Sequence, residues 1–318
     1  NHLSRHADEA LIAETSLRGC PCQTFKLNEM SYTISKMGKN KTYLLQADFE
    51  GFFQATKDNA KRDSSSHSER SGSFHGDGEF AESFDNALAL ETKGYNAQAI
   101  AESFDDLSDA FNSEDTNIQM DYNGDIFDTA SVIMGELKHW FNEVNEVRRP
   151  LVNLMIVPNG NCMVDAENWL HQGSAVAKVA EMIQDKCDVR ITACWFNRAS
   201  LEDGSNTIQM LTLKDYHEDL DFRRLGAVTH PSFFRRLVFG ILENGKGDMG
   251  GKANRVNGGY GRSVESWDDL KISKDVFQKH TNCDEVVLMP NAEHFRNMGS
   301  AIEIIKNTLG KVEAFLGE

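Results

Sequence analysis

The chain has 318 residues, 40% of them hydrophobic and 9% aromatic, enough to build a buried core in one large domain or two modest ones. No run of 18 apolar residues occurs, which excludes a membrane-spanning helix from the sequence. The formal net charge of −16 argues against direct nucleic-acid binding, because such a field repels phosphate.

That charge is uneven. Asn1–Pro150 carries 14 basic and 26 acidic residues, whereas Leu151–Glu318 carries 19 and 23. Between Asp77 and Asp128 there are 14 acidic residues and one lysine, Lys93. Asn1–Arg18 has no apolar h-region, so no secretory signal is expected and the reading is a cytoplasmic protein. The six cysteines are scattered, and only Cys20 and Cys22 are close, without the further ligands a tetrahedral zinc site needs. They read as reduced thiols, with Cys194 as a small core residue.

In chain order, residues 1–56 read as an N-terminal segment of short helices or strands around the apolar run Thr42–Leu45. Residues 57–78 are polar and rich in serine, the composition of a flexible linker. Residues 79–150 form an acidic helical or mixed region. Ser83 is placed to cap a first helix, and Gly94 to stop it in the left-handed conformation. Ile100, Phe104, Leu107 and Phe111 recur at spacings of 4, 3 and 4, which predicts an amphipathic helix. Asp105, Asp106 and Asp109 fall on its other side and make a candidate acidic docking face. Asp121–Asp128 imitates a calcium loop but has Ile126 at the sixth position and Val132 at the twelfth, so a turn at Asn123–Gly124 is expected instead.

Residues 151–318 alternate strands and helices. Leu151–Val157 and Glu285–Met289 are short apolar runs of the kind found in buried central strands. Val189–Phe196 is a further strand and Thr207–Leu213 alternates as a more exposed one, after a turn at 202–206. Helices are predicted over about Val164–Lys186, from Pro231 to Asn244, and along Ile302, Ile305, Leu309, Val312 and Phe315. Gly173, inside the first of these, predicts a close packing contact. The pattern specifies an α/β fold with three layers and a mainly parallel sheet.

In such sheets ligands sit beyond the carboxyl ends of the strands, here the segments 158–162 and 290–293. Their polar residues are Asn159, Asn161, Asn291 and Glu293. The α/β half resembles a von Willebrand factor A module, which carries Asp-x-Ser-x-Ser and a later Asp there to hold Mg²⁺. This chain offers Asn159 and Asn161 instead, and neutral amides lack the charge that retains a divalent cation. No metal and no cofactor are therefore expected. The stretch Lys246–Lys252 lacks the first glycine and the Ser/Thr of a phosphate loop and follows a helix, and Gly245–Arg262 with its seven glycines reads as a mobile loop. Cys162, near a helix start, is the one thiol whose pKa is placed to fall, but no base accompanies it.

Several segments in order resemble a family of uncharacterised bacteriophage and plasmid proteins with a degenerate von Willebrand A-like domain. They are Ser73–Gly76, Phe84–Leu90, Gly94–Tyr95 (in place of Gly-Trp), Asp121–Asp128, Gly173–Val176, His230–Pro231 and Arg235–Arg236. They span about Phe74 to Leu242 and bring no catalytic residues. The resemblance implies a mobile-element origin and the α/β fold. With the acidic face added, the reading is a non-enzymatic interaction or adaptor protein of a phage or similar element. By analogy its partner is a MoxR-type AAA+ ATPase. The alternatives are a virion or assembly component bound to virion proteins, and a metal-dependent or thiol enzyme at the strand ends.

Overall fold

The structure is a computed structural model that describes residues 33–37, 42–59, 75–76, 78–95, 97–114, 148–160, 164–197, 206–244, 267 and 273–317. Its centre is one six-stranded mixed sheet. The strands are β1 (Thr33–Met37), β2 (Thr42–Asp48), β3 (Leu151–Ile156), β4 (Asp188–Asn197), β5 (Asn206–Lys214) and β6 (Glu285–Leu288). They lie in the order β1-β2-β5-β4-β3-β6. Pairings β2–β5, β3–β4 and β3–β6 are parallel, and β1–β2 and β4–β5 are antiparallel.

The fold class is thus mixed α/β with a mostly parallel sheet. Two of its strands come from the segment that composition sets apart as residues 1–56. The sequence places no strand boundary there because β2 continues without a turn into α1 (Phe49–Asn59), where Asp48 Oδ1 accepts the Gly51 N–H at 2.7 Å. α1 also runs through Lys57–Asn59, whose polarity alone suggests linker.

α2 (Phe84–Leu88) and α3 (Leu90–Lys93) replace the single helix expected after Ser83, which does cap α2 by accepting the Asn86 N–H. Gly94 ends α3 with φ 64° but ψ −176°, outside the left-handed helical well that a simple αL stop requires. Glycine is required there for a second reason: a Cβ would lie 2.5 Å from Arg223 Cγ. α4 (Ala97–Glu114) has the predicted stripe, with Ile100 and Leu107 buried and Phe104 packed on the core.

α5 (Ala166–Ile183) follows β3 and is buried on every side from His171 to Ala180, since α4 and α9 (Met298–Leu316) both pack on it. Gly173 permits this: a Cβ there would stand 3.3 Å from Ile100 Cδ1 and 3.5 Å from Thr229 Cγ2. A π-helical turn (Phe233–Val238) and α7 (Phe239–Asn244) run on without a break as the helix expected from Pro231 to Asn244, and α6 (Phe222–Val228), which the sequence pattern does not place, precedes it. α8 (Lys274–Thr281), capped in a left-handed conformation at Asn282, precedes β6.

Strand alternation sorts the core into two faces. Val152, Leu154, Ile156, Ile191, Ala193, Trp195, Leu211 and Leu213 meet the main helical layer, in a cluster that also takes in Phe52, Phe84, Leu107, Phe233 and Val312. Composition separates residues 1–56, 79–150 and 151–318, yet this one cluster draws on all three. Phe233 makes the join, stacked on Phe52 at 4.8 Å and on Trp195 at 5.4 Å. On the other face Leu44, Met155, Val157, Cys194, Ile208 and Met210 pack with Phe277 of α8.

Candidate functional site

The parallel strands β3, β4 and β6 bring the segments after β3 and β6 side by side. Met289 N–H donates to the Met155 carbonyl at 2.9 Å, and Ala292 N–H donates to the Asn159 carbonyl at 3.3 Å. Asn159, Asn291 and Glu293 are therefore neighbours at one end of the sheet; Asn161 and Cys162 lie outside the described residues. Asn291 Oδ1 accepts the Glu293 N–H at 2.9 Å and caps a 3-10 turn (Ala292–His294). Asn291 thus caps a turn through its oxygen, whereas neither side-chain atom of Asn159 has such a role among the described residues.

α5 supplies the rest of the site. Gln172 Nε2 donates to the Val157 carbonyl at 3.2 Å and the Pro290 carbonyl at 2.9 Å, so its amide ties the two strand ends together. Asn168 Nδ2 donates to the Ala292 carbonyl at 3.2 Å. Trp195 Nε1 from β4 donates to the Pro158 carbonyl at 3.0 Å, and Arg235 Nη2 from the π-helical turn donates to the Gly160 carbonyl at 3.3 Å. Gly160 has no room for a side chain: a Cβ would stand 2.9 Å from Val164 Cγ2 and 3.3 Å from Trp169 Cζ2.

Asn159, Gln172 and Asn291 are 0% exposed and Trp169 is 1% exposed. Five of their polar atoms find no hydrogen-bond partner among the described residues: both side-chain atoms of Asn159, Asn291 Nδ2, Gln172 Oε1 and Trp169 Nε1. A buried polar group that finds neither protein, water nor ligand costs about 1–3 kcal/mol, so each of these atoms calls for a partner. Sites that carry such a cost have it offset by something they bind, or hold it as strain. Sequence reasoning finds Asn159 and Asn291 but misses Gln172 and Trp169. Trp169 reads as core, and the available signal is a glutamine one turn along the same apolar helix face.

The donor set does not suit a divalent cation. Among the described residues no group of three or more His, Cys, Asp or Glu side chains could hold a metal ion. Thiol chemistry is disfavoured at the described cysteines. Burial pushes the Cys187 thiol up to about 11, despite the lowering effect of nearby Arg149, and it raises Cys194 and Cys283 as well.

Distant family-like motifs meet at a second place, on the helical side. Gly76 has φ 92°, and a Cβ there would stand 3.2 Å from both His230 Cε1 and Pro231 Cδ. Ser232 Oγ donates to the His75 carbonyl at 2.6 Å, and the Ser232 N–H donates to His230 Nδ1 at 3.1 Å. Tyr95 packs edge-on to His230 at 4.2 Å, and the Tyr95 carbonyl would lie 2.1 Å from a Cβ on Gly226. These residues form a buried joint between α3, α6 and the π-helical turn. Arg235 and Arg236 are both buried. Arg236 Nη2 donates to the Ala81 carbonyl at 2.6 Å.

Asp105, Asp106 and Asp109 are exposed along α4, far in sequence and role from the strand ends. The calcium-like loop 121–128, the turn 202–205 and the glycine-rich stretch 245–262 lie outside the described residues. No helix among the described residues is long and apolar enough to cross a membrane.

A family model described as a domain of unknown function, DUF7192, matches residues 35–312. The chain belongs to that family. The match runs from β1 into α9 and so takes in the whole sheet, both halves of the strand-end site and the joint around His230. It carries no phage, plasmid or von Willebrand assignment. No curated protein and no solved structure matches the chain.

Proposed function

We propose that this DUF7192 protein is a non-enzymatic interaction protein of a phage or other mobile element, built on a metal-free von Willebrand A-like module. Its docking surface is the acidic face of α2–α4, and its partner presents a basic surface. The observation that carries this reading is the set of unpaired acids there. Asp85, Asp105, Asp106 and Asp109 are exposed and form no ion pair among the described residues. The local lysine, Lys93, is already taken by Glu79 at 2.8 Å. A helix that is packed on one side and bears uncompensated like charge on the other gains from a cationic partner, mostly in association rate and at low salt.

The strand-end chemistry supports the metal-free part of the reading, because buried neutral amides take the place where a hard cation needs carboxylates. A MoxR-type AAA+ ATPase and virion proteins are the two partner classes to test. The experiment is capture of purified candidates by the wild-type chain and by Asp105→Asn/Asp106→Asn/Asp109→Asn. Binding that weakens with salt and drops at least tenfold in the triple variant supports the acidic face. Equal binding by both proteins removes it. Co-sedimentation with particles, in place of a diffusible complex, selects the virion class.

A further inference from the structure

We infer that the ends of β3 and β6 bind a carboxylate directly through N–H donors of Asn159, Asn291 and Trp169, with no metal between protein and ligand. The three side chains come from two strand ends and the adjoining helix α5. Ala292 N–H to the Asn159 carbonyl and Gln172 Nε2 to the Val157 and Pro290 carbonyls hold them together. All three are at most 1% exposed, and each has a donor nitrogen without a partner among the described residues.

The balance of donors and acceptors selects the ligand class. Each amide nitrogen offers a pair of N–H donors and the indole nitrogen one, whereas only Asn159 Oδ1 and Gln172 Oε1 remain as free acceptors. A water molecule brings as many donors as acceptors and leaves the surplus N–H groups unanswered. A cation finds mostly N–H groups, with the Arg235 guanidinium beside Gly160. A carboxylate is acceptor-only, planar and small, and hydrogen bonds from N–H groups to an anion are stronger than those between neutral groups. Glu293, the carboxylate of this loop, is only half-buried and leaves the three donors unmatched.

The same chemistry is offered by a free small carboxylate and by the carboxyl terminus of a polypeptide. The test follows the indole N–H resonances of the full chain by NMR, with the Trp169 signal among the four tryptophans identified from Trp169→Phe. Acetate is titrated first, then a short peptide with a free or an amidated C-terminus. The expected result is a saturable movement of the Trp169 resonance while that of Trp267, packed on Phe277 at the other face of the sheet, stays in place, with the apparent affinity lowered at least tenfold in Asn159→Leu/Asn291→Leu. Tighter binding of the free-ended peptide than of acetate identifies a polypeptide terminus as the source. Equal or tighter binding of acetate identifies a small free carboxylate. No saturable movement with either probe in the wild-type chain overturns the proposal, as does a movement that persists in the double variant. Asp105→Asn/Asp106→Asn/Asp109→Asn leaves the titration unchanged, so the failure of this site and that of the acidic docking face are separable.

Discussion

The two ends of the sheet treat polar residues in opposite ways. At the carboxyl ends of β2 and β5, a recess of about 470 Å³ is lined by Asp48, Glu50, Asp215, Glu218 and Arg224. Every charge there has a protein partner. Arg224 pairs with Glu50 at 2.8 Å and Glu218 at 3.5 Å, and Asp215 pairs with Arg190 at 2.8 Å. Glu218 accepts the Asp215 N–H, and Asp48 accepts that of Gly51. At the carboxyl ends of β3 and β6 the amides of Asn159, Gln172 and Asn291 are fully buried, and five polar atoms lack partners among the described residues. The lesson is that charge density is a poor guide to a ligand site. The ion-pair network has little left to offer, with Arg224 Nε its one buried atom lacking a hydrogen bond among the described residues, whereas the neutral amides present several.

The comparison breaks most readily at Gln172. Gln172→Leu removes both hydrogen bonds that tie Val157 to Pro290 and leaves two carbonyls short, for a loss of about 2–4 kcal/mol in denaturant unfolding. If that variant is as stable as wild type, the strand ends are not held by this residue. Next in size is Gly160→Ala, whose new methyl group meets Val164 and Trp169. Such overpacking costs about 1–3 kcal/mol, read as a lowered unfolding midpoint. At the charged end, Arg224→Ala removes exposed ion pairs and lowers stability by about 1 kcal/mol or less, an effect that shrinks further in high salt.

The smallest effect concerns pH and neither end. Burial holds the His280 pKa below its ordinary 6.5. The unfolded chain thus takes up this proton before the folded one does. The contribution is present above about pH 6.5 and is lost as pH falls through the depressed value. His280→Gln flattens the stability profile in that range, and an unchanged profile assigns the acid sensitivity elsewhere.

The sequence makes β3 and β6 legible because strands buried on both faces read as apolar runs, and α4 because Ile100, Phe104 and Leu107 keep helical spacing. It hides α1, where Phe49, Phe52 and Phe53 follow β2 directly with no turn residue between. It also hides α6, a short helix of seven residues in which Arg223, Arg224 and Gly226 interrupt the apolar pattern. The site is half legible for a similar reason. Asn159 and Asn291 announce themselves because strand ends are where α/β sheets bind. Trp169 and Gln172 do not, since only the packing of α5 against both loops turns them toward that place. Membership of β1 and β2 in the same sheet is a long-range pairing between residues 42–48 and 206–212, and no local pattern encodes it.

The claim on which most depends is that the Asn159 amide has no partner among the described residues. Replacing Asn159 with leucine, of similar shape, tests it by equilibrium denaturant unfolding of the full chain without added carboxylate. The predicted result is a stability equal to or above that of wild type, because an unmatched buried amide has been exchanged for an apolar group. A loss of about 2 kcal/mol or more contradicts the account, since it means that the amide makes hydrogen bonds the fold needs.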